Sequence, residues 1–400
     1  MRRIAASAPA GGALALLLGS LALLAAGCGG GRVKDWQVGG LGTTLTQIQH
    51  RARSEGKLDL VVRPGFPTNL PVAAFTRQTG CEVTTRTATS VDLVDSKATE
   101  GSDGVLVAGD AMLRLIDKGM VAPVNFDLVP GYRDVVEALK GQLFDTVEGT
   151  GYAVPQGRAV NLELFRTDYL PSDTSSWAPI WSPSLKGRIS IYDDPIFIAD
   201  AALYLETTRP SLRITNPYEL DGKQFAVAIR LLRRQRQIIG EYWNTATIKE
   251  QVASFASGQS LVGTTWPRQV ALLEAEQPPV AVTAVKPSEG ATGWADAWMI
   301  SSKAKHPNCT YLWLDYVVSP EANARVAELF REAPSNTRAC EFTTDAGYCD
   351  AVHAQDEEWW KDVHLWTVPQ KNCGAARGDV CKSYDDWRKA WVALRTGRPE

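Results

Sequence analysis

One stretch of this 400-residue chain constrains the fold more than any other. Gly104-Val105-Leu106-Val107-Ala108 runs directly into Asp110-Ala111-Met112-Leu113-Arg114-Leu115-Ile116-Asp117-Lys118-Gly119. The first five residues are apolar without alternation, as in a strand buried on both faces. The next ten carry an Asp N-cap, helical apolar spacing and a Gly C-cap. Other stretches repeat the theme. Leu58-Asp59-Leu60-Val61-Val62 reads as a strand stopped by Pro64-Gly65, and a helix follows over Pro71 to Gly80. Cys81-Glu82-Val83-Thr84-Thr85 is a β-branched strand. Strands that alternate with helices imply a largely parallel α/β sheet.

The second half continues the pattern. Strands are expected at Gly151 to Pro155, Arg188 to Asp194, Ser260 to Thr265 and Trp294 to Ile300. Ser175 to Gly187 reads as a loop-helix segment. Phe225 to Ile239 is an amphipathic helix with Arg233, Arg234 and Arg236 on its wet side, and a helix begun near Pro307 covers Tyr311 to Val318. A chain of this length outgrows one core and is long enough for two domains. Net charge of -3 with no long basic run argues against a nucleic-acid partner.

The N-terminus is an export signal rather than a fold element. Arg2 and Arg3 precede an apolar run from Ala13 to Ala26, and small residues lead up to Cys28. Leu23-Leu24-Ala25-Ala26-Gly27-Cys28 resembles the bacterial lipobox, with Ala25 where Leu is commoner. That resemblance implies cleavage before Cys28 and a diacylglycerol on its sulfur. Lipid alone anchors such a protein to the cell membrane, facing outward, and no later apolar run is long enough to span a bilayer. Gly29 to about Glu55 is Gly-rich and polar, which suits a tether.

With Cys28 lipidated, six cysteines remain: Cys81, Cys309, Cys340, Cys349, Cys373 and Cys381. An even number in an exported protein points to disulfides. The close pairs Cys340–Cys349 and Cys373–Cys381 are the expected bridges; only parity supports Cys81–Cys309. His353 and His364 lie between the close pairs, so zinc is the competing reading, but no CxxC spacing occurs. No metal or other cofactor is expected.

At Lys286-Pro287-Ser288-Glu289-Gly290-Ala291-Thr292-Gly293-Trp294-Ala295-Asp296-Ala297-Trp298-Met299-Ile300 the chain resembles the spermidine/putrescine-binding family of ABC-transporter periplasmic receptors. Ala304-Lys305-His306-Pro307, Ser319-Pro320-Glu321 and Ala333-Pro334-Ser335-Asn336 extend the match, as do Phe75 to Gly80 and Tyr152-Ala153-Val154-Pro155. The resemblance implies a type II periplasmic-binding-protein-like fold: two α/β lobes, hinge crossings near Pro155 and Trp294, and a ligand cleft. It also implies a boundary scheme: signal peptide 1–27, lipidated tether 28–56, first lobe 57–155, second lobe 156–293 and a return to the first lobe over 294–340. A Cys-rich segment, 341–400, then packs on the second lobe.

The implied function is non-enzymatic: a monomeric solute-binding component serving permease and ATPase subunits and closing over a polyamine or related small organic cation. Such a ligand needs carboxylates for its ammonium groups and aromatic faces for its stem. Trp294 and Asp296, alternate residues on a strand, share one face and match the family's ring and carboxylate. Asp194 matches a second carboxylate, and Trp266 lies at or next to a cleft Trp. Phe197 stands where another acid is expected. Arg63-Pro64-Gly65-Phe66 keeps only the last ring of an aromatic-acidic cluster. Trp360 replaces a polar contact, with packing of the tail on the second lobe as the equal alternative for Trp359 and Trp360. The site has therefore lost acid and gained ring, which points to a less charged ligand such as a monoamine, a quaternary amine or an aromatic cation. The rival readings are an exported hydrolase and a same-fold receptor for an amino acid, a sugar or a metal. The chain lacks a Gly-x-Ser-x-Gly elbow, a His-Glu-x-x-His helix and adjacent tyrosines for iron.

Overall fold

Eleven successive buried residues, Ala291–Ser301, form the strand around which the molecule is organised. The computed structural model describes residues 38–63, 71–89, 93–94, 99–170 and 175–397. Cys28 and Phe66 lie outside them. In chain order the strands are β1 (Lys57–Val62), β2 (Glu82–Thr87), β3 (Gly104–Ala108), β4 (Val121–Ala122), β5 (Thr146–Val147), β6 (Thr150–Gly151), β7 (Ala153–Val160) and β8 (Leu162–Arg166). They continue with β9 (Ile189–Tyr192), β10 (Ile239–Trp243), β11 (Val262–Thr265), β12 (Val282–Val285), β13 (Ala291–Ser301), β14 (Ala333–Pro334) and β15 (Val363–Leu365).

Two mixed sheets result. The first runs β14-β7-β13-β3-β1-β2, with β4 and β15 against the ends of β13. The second runs β10-β9-β11-β8-β12. Parallel pairing joins β1 to β2 and β3, and β9 to β10 and β11, each through crossovers. The chain passes between the sheets twice. Asn161 alone separates β7 from β8, and residues 286–290 separate β12 from β13. The two passages lie side by side because β7 and β13 are antiparallel partners, Gly293 opposite Val160 and Met299 opposite Ala153. Asn161 is bonded into the return strand: its N–H donates to the Thr292 carbonyl at 2.8 Å and its Nδ2 to Thr292 Oγ1 at 2.6 Å. Gly293 permits this closeness, since a Cβ there would run into the Ala159 carbonyl.

The structure departs from the sequence expectations in three places. Leu45–Glu55, inside the expected tether, is a helix capped by Thr44 and ended by Gly56 at φ 61°. Average composition hid Ile48 and Ala52, four residues apart, which bury one face. Glu55 then accepts from the N–H groups of Asn308 and Cys309 at 3.2 and 2.8 Å. Second, Asp110 is not an N-cap but lies in the first turn of helix Gly109–Asp117, which starts straight off β3 at Ala108. Third, the expected strand from Gly151 to Pro155 divides, Thr150–Gly151 forming a hairpin with Thr146–Val147 and Ala153–Val160 entering the sheet.

All three cysteine pairs are bridged: Cys340–Cys349, Cys373–Cys381 and Cys81–Cys309. The last links residues 228 apart in sequence. Helix Tyr384–Thr396, with the capping box of Ser383 and Asp386, sends Trp387 and Trp391 into the core beneath the second sheet, against Phe225 and Phe197. Trp391 Nε1 and Arg395 Nε both donate to Asp193 Oδ1, at 2.9 and 2.8 Å. Among the described residues no helix is long and apolar enough to cross a membrane.

Candidate functional site

Parallel strands deliver their carboxyl ends to one place, and loops there are free to carry side chains for a ligand. In the first sheet Leu60 lies opposite Gly104 and Asp296 opposite Ala108. The residue just past β1, Arg63, therefore comes to the middle of β13. In the second sheet β9 ends at Tyr192, followed by Asp193 and Asp194, and β11 ends at Thr265, followed by Trp266.

These ends meet in a cluster of rings. Trp266 and Trp294 have centroids 4.9 Å apart, Tyr192 and Trp266 5.1 Å, and Trp294 and Trp366 5.2 Å. Tyr192 stacks on Trp366 at 6.0 Å and 11°, and Trp243 closes the group, 4.9 Å from Trp266. Contacts of this kind contribute about 0.5–1.5 kcal/mol each beyond area burial. The cluster is tied to the inter-sheet passage, since Trp266 Nε1 donates to Asn161 Oδ1 at 2.8 Å and Trp366 Nε1 to Thr292 Oγ1 at 3.2 Å. Thr292 in turn donates to Asp200 Oδ1 at 2.8 Å, and burial pushes that carboxyl up to about 7.

Asp296 is fully buried, and a guanidinium of the chain itself already faces it. Arg63 Nη2 lies 2.6 Å from Asp296 Oδ2 and 3.6 Å from Glu332 Oε2, and its Cζ sits 4.2 Å from the centroid of the Phe330 ring. Burial pushes Asp296 up and Arg63 pulls it back down. Burial and then the Asp296 charge push Glu332 up to about 8, so at neutral pH Glu332 is chiefly protonated. Asp194, half-buried, accepts from the Ile196 N–H at 2.9 Å; burial raises it to about 6.

The structure therefore brings together Trp294, Asp296, Trp266 and, through Tyr192, Asp194. It does not bring Trp360 to them. Arg158 is opposite Ala295 and Ala159 opposite Trp294, so Arg158 and Trp294 occupy opposite faces of the β7–β13 ribbon. Arg158 Cζ lies 4.2 Å from the Trp360 ring, which lines a groove of about 490 Å³ with His353, Trp359 and Lys286. The tail residue on the Trp294 face is Trp366, one past β15, which pairs with β13. Gly109 admits it, because a Cβ there would strike the Trp366 carbonyl. Sequence reasoning missed Trp366, Tyr192, Arg63 and Glu332. Only Arg63 gave a signal, as a base where the family cluster has rings and acid.

Comparison with known proteins follows the same lines. The family model described as bacterial extracellular solute-binding protein matches residues 72–365. Spermidine/putrescine-binding periplasmic protein 1 of Haemophilus influenzae is 23% identical over 305 residues, 72% of this chain and 79% of that protein. The putrescine/agmatine-binding protein of Pseudomonas aeruginosa is 23% identical over 273 residues, 64% of this chain and 71% of that one. Among solved structures, a spermidine/putrescine ABC transporter protein from Listeria monocytogenes superposes with a TM-score of 0.71 at 15% identity, covering 86% of this chain and all of that one. The Tp0655 lipoprotein of Treponema pallidum gives 0.70 at 17%, covering 85% of this chain and 99% of that chain.

Proposed function

Because the chain belongs to the bacterial extracellular solute-binding protein family, we propose that it is the extracytoplasmic receptor of an ABC importer for a small organic molecule bearing an ammonium group. The observation that carries this reading is the ring cluster with carboxylates around it, built from both sheets: Trp294 and Asp296 from β13, and Trp266, Tyr192 and Asp194 from the ends of β11 and β9. Aromatic faces beside carboxylates suit an ammonium with an apolar stem, since a cation over a ring regains about 0.5–2 kcal/mol of what desolvation costs. The relatives named for spermidine, putrescine or agmatine support the ligand class.

The two sheets act as two lobes, hinged at Asn161 and at residues 286–290. A solute touching both lobes stabilises the closed form, which the permease reads. Cys28 carries the lipid that keeps the receptor at the membrane, and the chain works as a monomer without catalysis. Cys28→Ser releases the protein or leaves the precursor uncut; unchanged retention with normal processing refutes the anchor.

Calorimetric titration of the soluble body with small amines tests the solute reading. Asp194→Asn and Trp294→Ala weaken the best ligand, the former on the order of 2–5 kcal/mol. Wild-type affinity in both variants removes this cleft as the site.

A further inference from the structure

A cation is recognised by carboxylates and ring faces, and one such place in the cleft is filled by the chain itself. Arg63, the residue just past β1, brings its Nη2 to 2.6 Å from Asp296 Oδ2, and its Cζ lies 4.2 Å from the centroid of the Phe330 ring. Glu332 completes the surround. Its Oε2 lies 3.6 Å from the same Nη2, and its Oε1 accepts from Gln156 Nε2 at 3.2 Å. Both carboxyls are buried, with side-chain exposures of 0% and 1%, while Arg63 keeps 19%. One guanidinium therefore serves two carboxyls and a ring, the surroundings that a ligand cation would need. Among the described residues no other base pairs with Asp296 or with Glu332.

A tethered cation holds such a place better than a free one. Arg63 follows directly on a strand paired on both sides, with β2 and with β3. Its effective concentration at Asp296 is set by the chain, on the order of millimolar or higher, and a solute must displace it to reach the carboxylate. A second ammonium brought up without displacing it would leave water and face a like charge, with no counter-ion of its own. Discrimination comes from such a repulsive element as much as from an attractive one. A lone ammonium meets no such obstacle. Trp266 and Trp294, with centroids 4.9 Å apart, and Asp194, two residues past β9, remain for it.

We propose that Arg63 is the specificity-determining residue of the cleft: it fills the Asp296 subsite as a built-in cation, so the receptor takes solutes with a single ammonium and discriminates against diamines. The proposal rests on the reading that this cleft is the solute site. Arg63 acts by excluding the second charge of a solute rather than by gripping the first.

The test is calorimetric titration of the purified soluble body with n-alkylamines of three to six carbons and with the α,ω-diamines of the same lengths. In the wild type the best monoamine is expected to bind at least tenfold tighter than its matched diamine. Arg63→Ala opens the subsite and moves the preference at least tenfold toward the diamine. Arg63→Lys returns a cation and restores the wild-type order. A merely structural role would weaken both amines together without reversing their order. If Arg63→Ala does not fold alone, its refolding from urea reads the same subsite, with recovery expected from the diamine and not from the monoamine. A wild type that binds a diamine as tightly as the matched monoamine overturns the role of Arg63 while the amine receptor stands. So does an Arg63→Ala variant that keeps the wild-type order, or one that neither amine rescues. No binding of any amine by the wild type overturns the reading of the cleft as well.

Discussion

Each face of the β7–β13 ribbon meets an arginine–carboxylate pair beside a tryptophan, and the two sets behave differently. On the cleft face Arg63 meets Asp296 beside Trp294; on the back face Arg158 meets Glu357 beside Trp360. The cleft face buries the acid, with side-chain exposures of 19% for Arg63 and 0% for Asp296. The back face buries the base, with 4% for Arg158 and 51% for Glu357. A buried carboxyl that loses its partner can take up a proton, whereas a guanidinium cannot give one away. The cleft pair is therefore sensitive to pH and to a competing charge, as a binding site must be. The back pair is a fixed fastening whose acid reaches water.

The largest effect is expected from removing the base on the cleft side. Arg63→Ala should cost about 3–5 kcal/mol near pH 8 in urea unfolding, because it strands a buried carboxylate. The cost should shrink as pH falls, because burial raises Asp296 and a protonated carboxyl needs no counter-charge. A penalty that is flat with pH would break the contrast between the faces. Glu332→Gln sharpens it. The folded-state value of Glu332, about 8, lies above its ordinary 4.5, so the native state holds a proton that the unfolded chain has lost. Its contribution is fully present below pH 4.5 and is lost as pH rises through 8. Replacing the acid with its neutral analogue should flatten that decline and raise stability at pH 8 by about 2 kcal/mol. Chemical unfolding between pH 5 and 9 reads both.

Smaller effects follow on the back. Glu357→Ala should cost about 1 kcal/mol, since its carboxylate is half-exposed. In ligand titration Trp294→Ala should lose about tenfold in affinity, while Trp360→Ala should change it by less than twofold. Equal losses from the two tryptophans would show that the faces are not functionally distinct.

Much of this was legible in the chain because it depends on neighbours in sequence. The buried strand at Gly104 feeds its helix directly, and Trp294 and Asp296 share a face because strand side chains alternate. Cys340 and Cys349, nine residues apart, have little choice of partner. Composition failed at Leu45–Glu55 because burial of Ile48 and Ala52 is a property of spacing, not of average polarity.

Tertiary structure decided the rest. Cys81 finds Cys309 only because helix Pro307–Val317 packs on helices Leu45–Glu55 and Pro71–Thr79, the second of which ends two residues before Cys81. Trp366, rather than Trp360, joins the cleft because β15 pairs with β13 and turns the tail at that residue. Above all, sequence supplied Asp296 as a carboxylate in the right frame but not its partner. Arg63 reaches it because β1 and β13 flank β3 in one sheet. Charge at a buried site is set by what lies within a few ångströms in space, and the pairing of distant strands fixes those neighbours.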